Sequence, residues 1–163
     1  MKFYIIKNIT KAIYDCHING VAHRDLKLEN IMIMKTDNKY KIKLIDFGFA
    51  VLSSSKSKIS TFCGTPSYMP PEIIMKKEYN PFKSDIWSLG VVFYEIINEN
   101  LPFSQFKKSN SGVASSSKGK YKYSSNDAEN NLFSNIIEGN VTYNTMVMSF
   151  DSIDLIRRML SID

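Results

Sequence analysis

Apolar residues open the chain at helical spacing. Phe3, Ile6, Ile9 and Ile13, continuing to Cys16 or His17, predict an amphipathic helix over residues 2–19. Asn19-Gly20 stops it. Two short apolar runs, 31–34 and 41–45, read as strands joined by the turn Lys35-Thr36-Asp37-Asn38-Lys39. The stretch 81–98 is apolar nearly all round, through Ile86, Trp87, Gly90, Val91, Phe93, Tyr94 and Ile97, as suits a helix inside a core. Leu101-Pro102-Phe103 closes it. Ile153, Leu155, Ile156, Met159 and Leu160 mark a buried face on a last helix over 151–160. The pattern is mainly α with one short β-hairpin.

Between the last two helices the pattern fails. Residues 104–131 are rich in Ser, Lys, Asn and Tyr with almost no aliphatics. Such a stretch buries too little surface to offset its ordering entropy. It is expected to be a low-complexity, disordered insert serving as a solvated spacer. No internal repeat is visible.

Composition adds bounds. The 163 residues are 44% apolar, and one domain of that size buries roughly 70% of its unfolded surface. Of the net charge of +5, the insert supplies five lysines against two acids. The basic character is therefore local, and nucleic acid is not an expected partner. Cys16 and Cys63 lie far apart, without a C-x-x-C pair. This argues against a disulfide framework or zinc site and for a reducing compartment. No apolar run approaches the ~20 residues of a membrane span, and the short apolar start is not a signal peptide. An intracellular setting, cytoplasmic or nuclear, is expected.

The candidate chemistry sits in two places. His23-Arg24-Asp25-Leu26-Lys27-Leu28-Glu29-Asn30 sets a carboxylate, an ammonium and an amide carbonyl along one loop. Asp46-Phe47-Gly48 adds a carboxylate beside a glycine that permits a sharp turn. The loop precedes the first hairpin strand and Asp46 ends the second, which brings Asn30 and Asp46 together. Their oxygens suit Mg²⁺. Lys27 can neutralise charge on a phosphoryl group, and Asp25 can orient a hydroxyl and accept its proton. This is equipment for phosphoryl transfer.

These motifs resemble the eukaryotic protein kinases. The family's H-R-D-L-x-x-x-N loop is met at His23, Arg24, Asp25, Leu26 and Asn30, and D-F-G at Asp46 to Gly48. A-P-E is met at Pro70-Pro71-Glu72, with Pro70 in place of alanine. Thr61-Phe62-Cys63-Gly64-Thr65-Pro66-Ser67-Tyr68 is similar to the T-x-C-G-T-P-x-Y run of basophilic Ser/Thr kinases. The resemblance extends along the chain apart from the insert. It touches calcium/calmodulin-dependent, AMP-activated and cyclic-nucleotide-dependent groups without choosing among them.

The resemblance implies a Ser/Thr protein kinase that uses ATP and Mg²⁺ on protein substrates with basic residues near the phosphoacceptor. It implies Asp25 as catalytic base, Lys27 on the transferred phosphate, Asn30 and Asp46 as metal ligands and Met32 beneath adenine. Thr65 would tie the substrate loop to Asp25 and Lys27, and Glu29 and Glu95 would receive a substrate arginine. Thr61 would be an activation-loop phosphosite for an upstream kinase. Arg24 would be its cationic partner, although Val51 stands where relatives offer a base. His23 and Phe47 would belong to a hydrophobic stack, Gly48 would serve the backbone, and Asp85 would hold the catalytic-loop backbone. Glu72 would lack its usual arginine partner.

No glycine-rich phosphate loop, strand lysine or partner glutamate is found. The chain is therefore expected to be the large (C-terminal) lobe of the kinase fold, a partial domain over 1–163 with the small lobe absent, weakly stable and nearly inactive alone. The alternatives are a non-catalytic kinase-like binding or regulatory module and a truncated gene product.

Overall fold

A computed structural model describes residues 1–36, 39–54, 56–103 and 125–162. The expected insert lies outside the described residues as far as 124, as does the tip of the expected hairpin turn at Asp37 and Asn38.

Helix α1 (Lys2–Ile18) matches the periodic stretch, with Ile9 and Ile13 buried. Phe3, at the head of the same pattern, faces outward at 80% exposure. Beyond Gly20, strand β1 (Val21–Ala22) enters the loop of the catalytic-type motif. Strands β2 (Ile31–Thr36) and β3 (Lys39–Leu44) pair antiparallel with Ile31 opposite Leu44 and Ile33 opposite Ile42. The hairpin expectation held, with longer strands than the apolar runs marked.

One hairpin was expected, and there are two sheets among the described residues. Val21–Ala22 pairs antiparallel with β4 (Val51–Leu52), a separate two-stranded sheet. Strands of two residues are too short to show the alternation by which a strand is recognised in sequence. Short helix α2 (Pro71–Ile74) follows, and then α3 (Pro81–Asn98), whose bounds agree with the sequence pattern. Asn80 caps α3 by accepting from the Phe82 and Lys83 amides at 2.9 and 3.2 Å, and Pro81 takes the first helical position, where its missing N–H costs nothing.

Helix α4 (Ser125–Ile137) begins inside the stretch expected to be without structure. Leu132, Phe133 and Ile136 give it the apolar residues that the preceding stretch lacks; Ile136 is fully buried and the other two pack against the core. Helix α5 (Phe150–Met159) starts at a Ser149 cap. It buries Ile156, while Leu155 turns outward at 47% exposure.

The core forms around α3. Trp87, Leu89, Val91, Val92, Phe93 and Tyr94 are buried along it, against Ile9 and Ile13 of α1 and Ile156 of α5. Trp87 stacks on Phe103 with ring centroids 5.8 Å apart and planes 4° off parallel. Where α3 meets α5 there is no room for a side chain at Gly90: a Cβ there would lie 2.9 Å from Met159 Cβ and 3.1 Å from Leu160 Cδ2. Both neighbours belong to the far helix, so relief requires moving α5. Gly90→Ala is expected to lower stability by about 1–3 kcal/mol in urea denaturation despite alanine's better helix propensity. A midpoint at or above that of the wild type would show that the two helices are not in close contact.

Candidate functional site

The loop between β1 and β2 carries His23, Arg24, Asp25, Lys27, Glu29 and Asn30 of the expected residues, and its shape is fixed from below. Asp85, 1% exposed on α3, accepts the His23 amide on Oδ2 and the Arg24 amide on Oδ1, each at 2.8 Å. A buried carboxylate is costly unless its lone pairs are filled, and backbone N–H groups fill them here. Arg24 takes a left-handed conformation at φ 65°, and its Nε donates to the Phe49 carbonyl. His23 is fully buried, tilted against Phe47 at 4.8 Å. The Asp25 amide donates to His23 Nδ1 at 3.3 Å, which leaves Nε2 to carry the proton toward the Ile45 carbonyl at 3.1 Å.

Four expected residues meet at Asp25. Thr65 Oγ1 donates to Asp25 Oδ1 at 2.7 Å and accepts from Lys27 Nζ at 2.9 Å. Lys27 Nζ also lies 2.9 Å from Asp25 Oδ2. Asn30 Nδ2 donates to the Asp25 carbonyl at 2.9 Å and to Oδ2 at 3.2 Å. Burial by itself disfavours the charged Asp25 carboxylate. The hydrogen bonds from Thr65, Lys27 and Asn30, with the Lys27 charge, outweigh it and hold the carboxyl below its ordinary range. The result is a buried, ionised acceptor with a cation and a hydroxyl fixed around it.

Asp46 approaches by the backbone. Ile45 N–H donates to the Asn30 carbonyl at 3.0 Å, so the next residue starts beside Asn30. The turn expected at Gly48 is there, closed by the Ala50 amide on the Phe47 carbonyl at 3.0 Å, and Asp46 ahead of it takes a left-handed conformation at φ 61°. Asp46 Oδ1 then accepts the Gly48 amide at 3.2 Å, and a Cβ on Gly48 would sit 3.1 Å from that oxygen. The Asp46 carboxylate is exposed. Among the described residues no group of three or more His, Cys, Asp or Glu is arranged to hold a metal ion. The donor set of Asn30 and Asp46 is nonetheless one of hard oxygens: the Asn30 amide nitrogen is committed to Asp25, which leaves its carbonyl oxygen for a cation. That chemistry fits Mg²⁺, which takes a few protein oxygens and completes its shell with water and phosphate.

The remaining expected residues lie around this centre. Met32 is half-exposed on β2. Glu95 accepts the Tyr68 hydroxyl at 2.6 Å, and exposed Glu29 is near enough for its charge to reach that hydroxyl. Burial, the Glu95 hydrogen bond and the charges of Glu95 and Glu29 push Tyr68 far above the ordinary tyrosine range. Thr61 is exposed, and its carbonyl accepts the Tyr79 hydroxyl at 2.8 Å. Burial and the Cys63 thiol push that hydroxyl up to about 12, against the pull of the Arg24 guanidinium. Arg24 and the Thr61 backbone thus share Tyr79 as neighbour. Glu72, expected to lack its usual arginine, lies in α2 and is engaged in the fold.

Tyr68 and Tyr79 were missed as site residues. Tyr68 stands in the quoted run, but only the fold brings it to Glu95. Tyr79 has no local signal.

A family model described as protein kinase domain matches residues 1–163. A serine/threonine-protein kinase SIK3 homolog of Danio rerio is 46% identical over 97 residues, covering 60% of this chain and 8% of the relative. A NUAK family SNF1-like kinase 1 of Mus musculus is 40% identical over 119 residues, 73% of this chain and 18% of the relative. A testis-specific serine/threonine-protein kinase 5 of Mus musculus is 45% identical over 98 residues, 60% of this chain and 26% of the relative. The matched region is thus between 8% and 26% of the length of these relatives. The family match runs the full length of the chain and the fold holds two small antiparallel sheets beside its helices, which overturns the reading of a large lobe with the small lobe absent. Among the described residues no helix is long and apolar enough to cross a membrane.

The Asp25 network carries a pH dependence. Its folded-state pKa lies below the ~3.9 of an unfolded aspartate. The stability it contributes is therefore complete above about pH 4 and is lost as pH falls through the folded value. Thr65→Val removes a hydrogen bond to that charge and should cost about 1.5–3 kcal/mol at pH 7, with the gap to wild type closing in acid. Denaturation at pH 7 and pH 3 measures it; a gap that is equal at both would show that Thr65 does not act through the ionised Asp25.

Proposed function

This chain belongs to the protein kinase domain family, and from that premise we propose that it works as part of a serine/threonine protein kinase moving the γ-phosphoryl group of ATP to a substrate hydroxyl. The observation that supports this most is the cluster at Asp25, where Lys27, Asn30 and Thr65 all bond to one buried carboxylate. Phosphoryl transfer asks little covalent chemistry of a protein and much positioning and charge stabilisation. Asp25 orients the substrate hydroxyl and takes its proton as the new O–P bond forms and the β–γ bridging bond of ATP breaks. Lys27 stabilises charge on the group in transit. Asn30 and Asp46 hold Mg²⁺, which when bound neutralises phosphate oxygens. Met32, exposed on β2, supplies an apolar surface for the adenine ring.

Substrate choice follows from the acids. Glu95 accepts the Tyr68 hydroxyl and the charge of Glu29 reaches the same hydroxyl, and a guanidinium bound by both acids would gain two charge-assisted partners. We assign them to a basic residue of the substrate. Thr61 is the proposed site of an activating phosphate added by an upstream kinase, which would bring roughly −1.5 to −2 charge close to Arg24. No G-x-G-x-x-G run occurs in the 163 residues, and the stretch by itself is proposed to phosphorylate weakly.

In the intact polypeptide that contains this chain, Asp25→Ala should lower peptide phosphorylation by at least ~10²–10⁴-fold. A mutant as active as the wild type would leave a non-catalytic, kinase-like binding role as the better account. Glu95→Gln should raise KM for an arginine-bearing peptide about tenfold, the equivalent of about 1.4 kcal/mol, while leaving a peptide without arginine unaffected. Equal effects on both peptides would remove Glu95 from substrate recognition.

A further inference from the structure

The β2–β3 hairpin has two unlike faces. Ile31 opposite Leu44 and Ile33 opposite Ile42 share one of them, and Ile31, Ile42 and Leu44 pack there into the core. Side chains alternate along a strand, and cross-strand partners point the same way. Met32 opposite Lys43 and Met34 opposite Lys41 therefore share the other face. All four of these residues are exposed. Lys43 thus stands directly across the ladder from the methionine assigned to the adenine ring. Among the described residues no acid pairs with Lys41 or Lys43.

Position along the hairpin narrows what the Lys43 cation can reach. Asn30 immediately precedes β2, and Asp46 follows the end of β3 by two residues. Phosphates and their Mg²⁺ belong at that end. Met32 and Lys43 form the first outward-facing pair beyond it, and Met34 and Lys41 the second. Cross-strand Cβ atoms stand about 5 Å apart, so a base seated on Met32 lies alongside the Lys43 stem. An ammonium offers donors only, and the ring nitrogens of adenine accept. We propose that Lys43 belongs to the nucleotide site: its stem walls the base, and its ammonium donates to a ring nitrogen of adenine. Met32 supplies apolar surface that any flat ring would satisfy, whereas a charge-assisted hydrogen bond recognises the acceptor. This rests on the nucleotide reading of Met32, Asn30 and Asp46.

Nucleotide binding to the intact polypeptide, followed by titration calorimetry, tests the contact without recourse to turnover. Lys43→Met keeps the stem and removes the donors and the charge. It is expected to weaken ATP and adenosine alike, by roughly tenfold. Lys41→Met, one pair further out, is expected to bind both like the wild type. The adenosines lacking one ring acceptor (1-deaza, 3-deaza and 7-deaza) locate the partner. One of them should bind the wild type about tenfold more weakly than adenosine does, and that deficit should vanish in Lys43→Met. Unchanged affinity in Lys43→Met overturns the proposal. So does a loss confined to ATP, since the charge then acts on phosphates rather than on the base. Equal losses from Lys43→Met and Lys41→Met overturn it as well, as do deaza deficits that persist undiminished in Lys43→Met. A wild type that binds neither ATP nor adenosine removes the nucleotide reading and this contact with it. Intact wild-type binding confines any failure to Lys43.

Discussion

A single buried carboxylate organises the site. Asp85 sits in the packed interior of α3 and directs both its oxygens at the backbone just ahead of Asp25. An unpaired charge at that depth would cost several kcal/mol, so the fold gains only when the loop supplies its amides in the right place. That requirement selects one loop conformation. It also explains how Arg24 tolerates a left-handed backbone at φ 65°, a state costing roughly 1–2 kcal/mol for a residue with a Cβ. The strain sits where the surrounding hydrogen bonds over-determine the chain.

The anchor works only because α3 itself cannot shift. Its apolar residues lie against α1, α5 and the Phe103 ring, and at Gly90 the approach of α5 leaves no space for a methyl group. Packing of that density converts a hydrogen-bond preference into a position. The second left-handed residue, Asp46, is fixed from the other side, by the β2–β3 ladder and the Ile45 amide on the Asn30 carbonyl. Two elements therefore converge on one loop, and the backbone of Asn30 is bonded to the residue just before Asp46.

Long periodic elements were legible before any coordinates. Helix α3 follows from a long stretch apolar nearly all round, and the β2–β3 hairpin from two short apolar runs joined by a polar turn. The β1–β4 pair could not be read, because two residues on each side have no period and their pairing is decided by the chain returning at Ser53 to the Gly20 carbonyl. Helix α4 was lost to composition: Ser125 to Asn131 is polar, and its apolar face begins only at Leu132. Within the site, the contacts of Thr65 with Asp25 and Lys27 were foreseen from a motif. The roles of Tyr68 and Tyr79 were not, since each acts across more than fifteen residues of sequence through a tertiary contact. The turn at Gly48 was legible, whereas the left-handed bend at Asp46 was not, because glycine is the default for such a bend; Asp46 compensates by accepting the Gly48 amide on its own Oδ1.

Two opposed charge environments lie along one short segment. At Thr65 the hydroxyl serves an ionised carboxylate beside a lysine, where the surroundings favour negative charge on Asp25. At Tyr68 the hydroxyl faces two acids, where negative charge on the ring oxygen is strongly disfavoured and Tyr68 remains a donor. At Thr61 the carbonyl is tied to Tyr79, whose other neighbour is Arg24. Gly64 stands between these ties at φ 112°, where a Cβ would lie 3.0 Å from the Arg24 carbonyl. The segment is therefore laid directly on the loop with no side chain interposed, and it cannot move by halves. Lifting it would remove the hydroxyl from Asp25, release Glu95 from Tyr68 and separate Thr61 from the neighbourhood of Arg24 together.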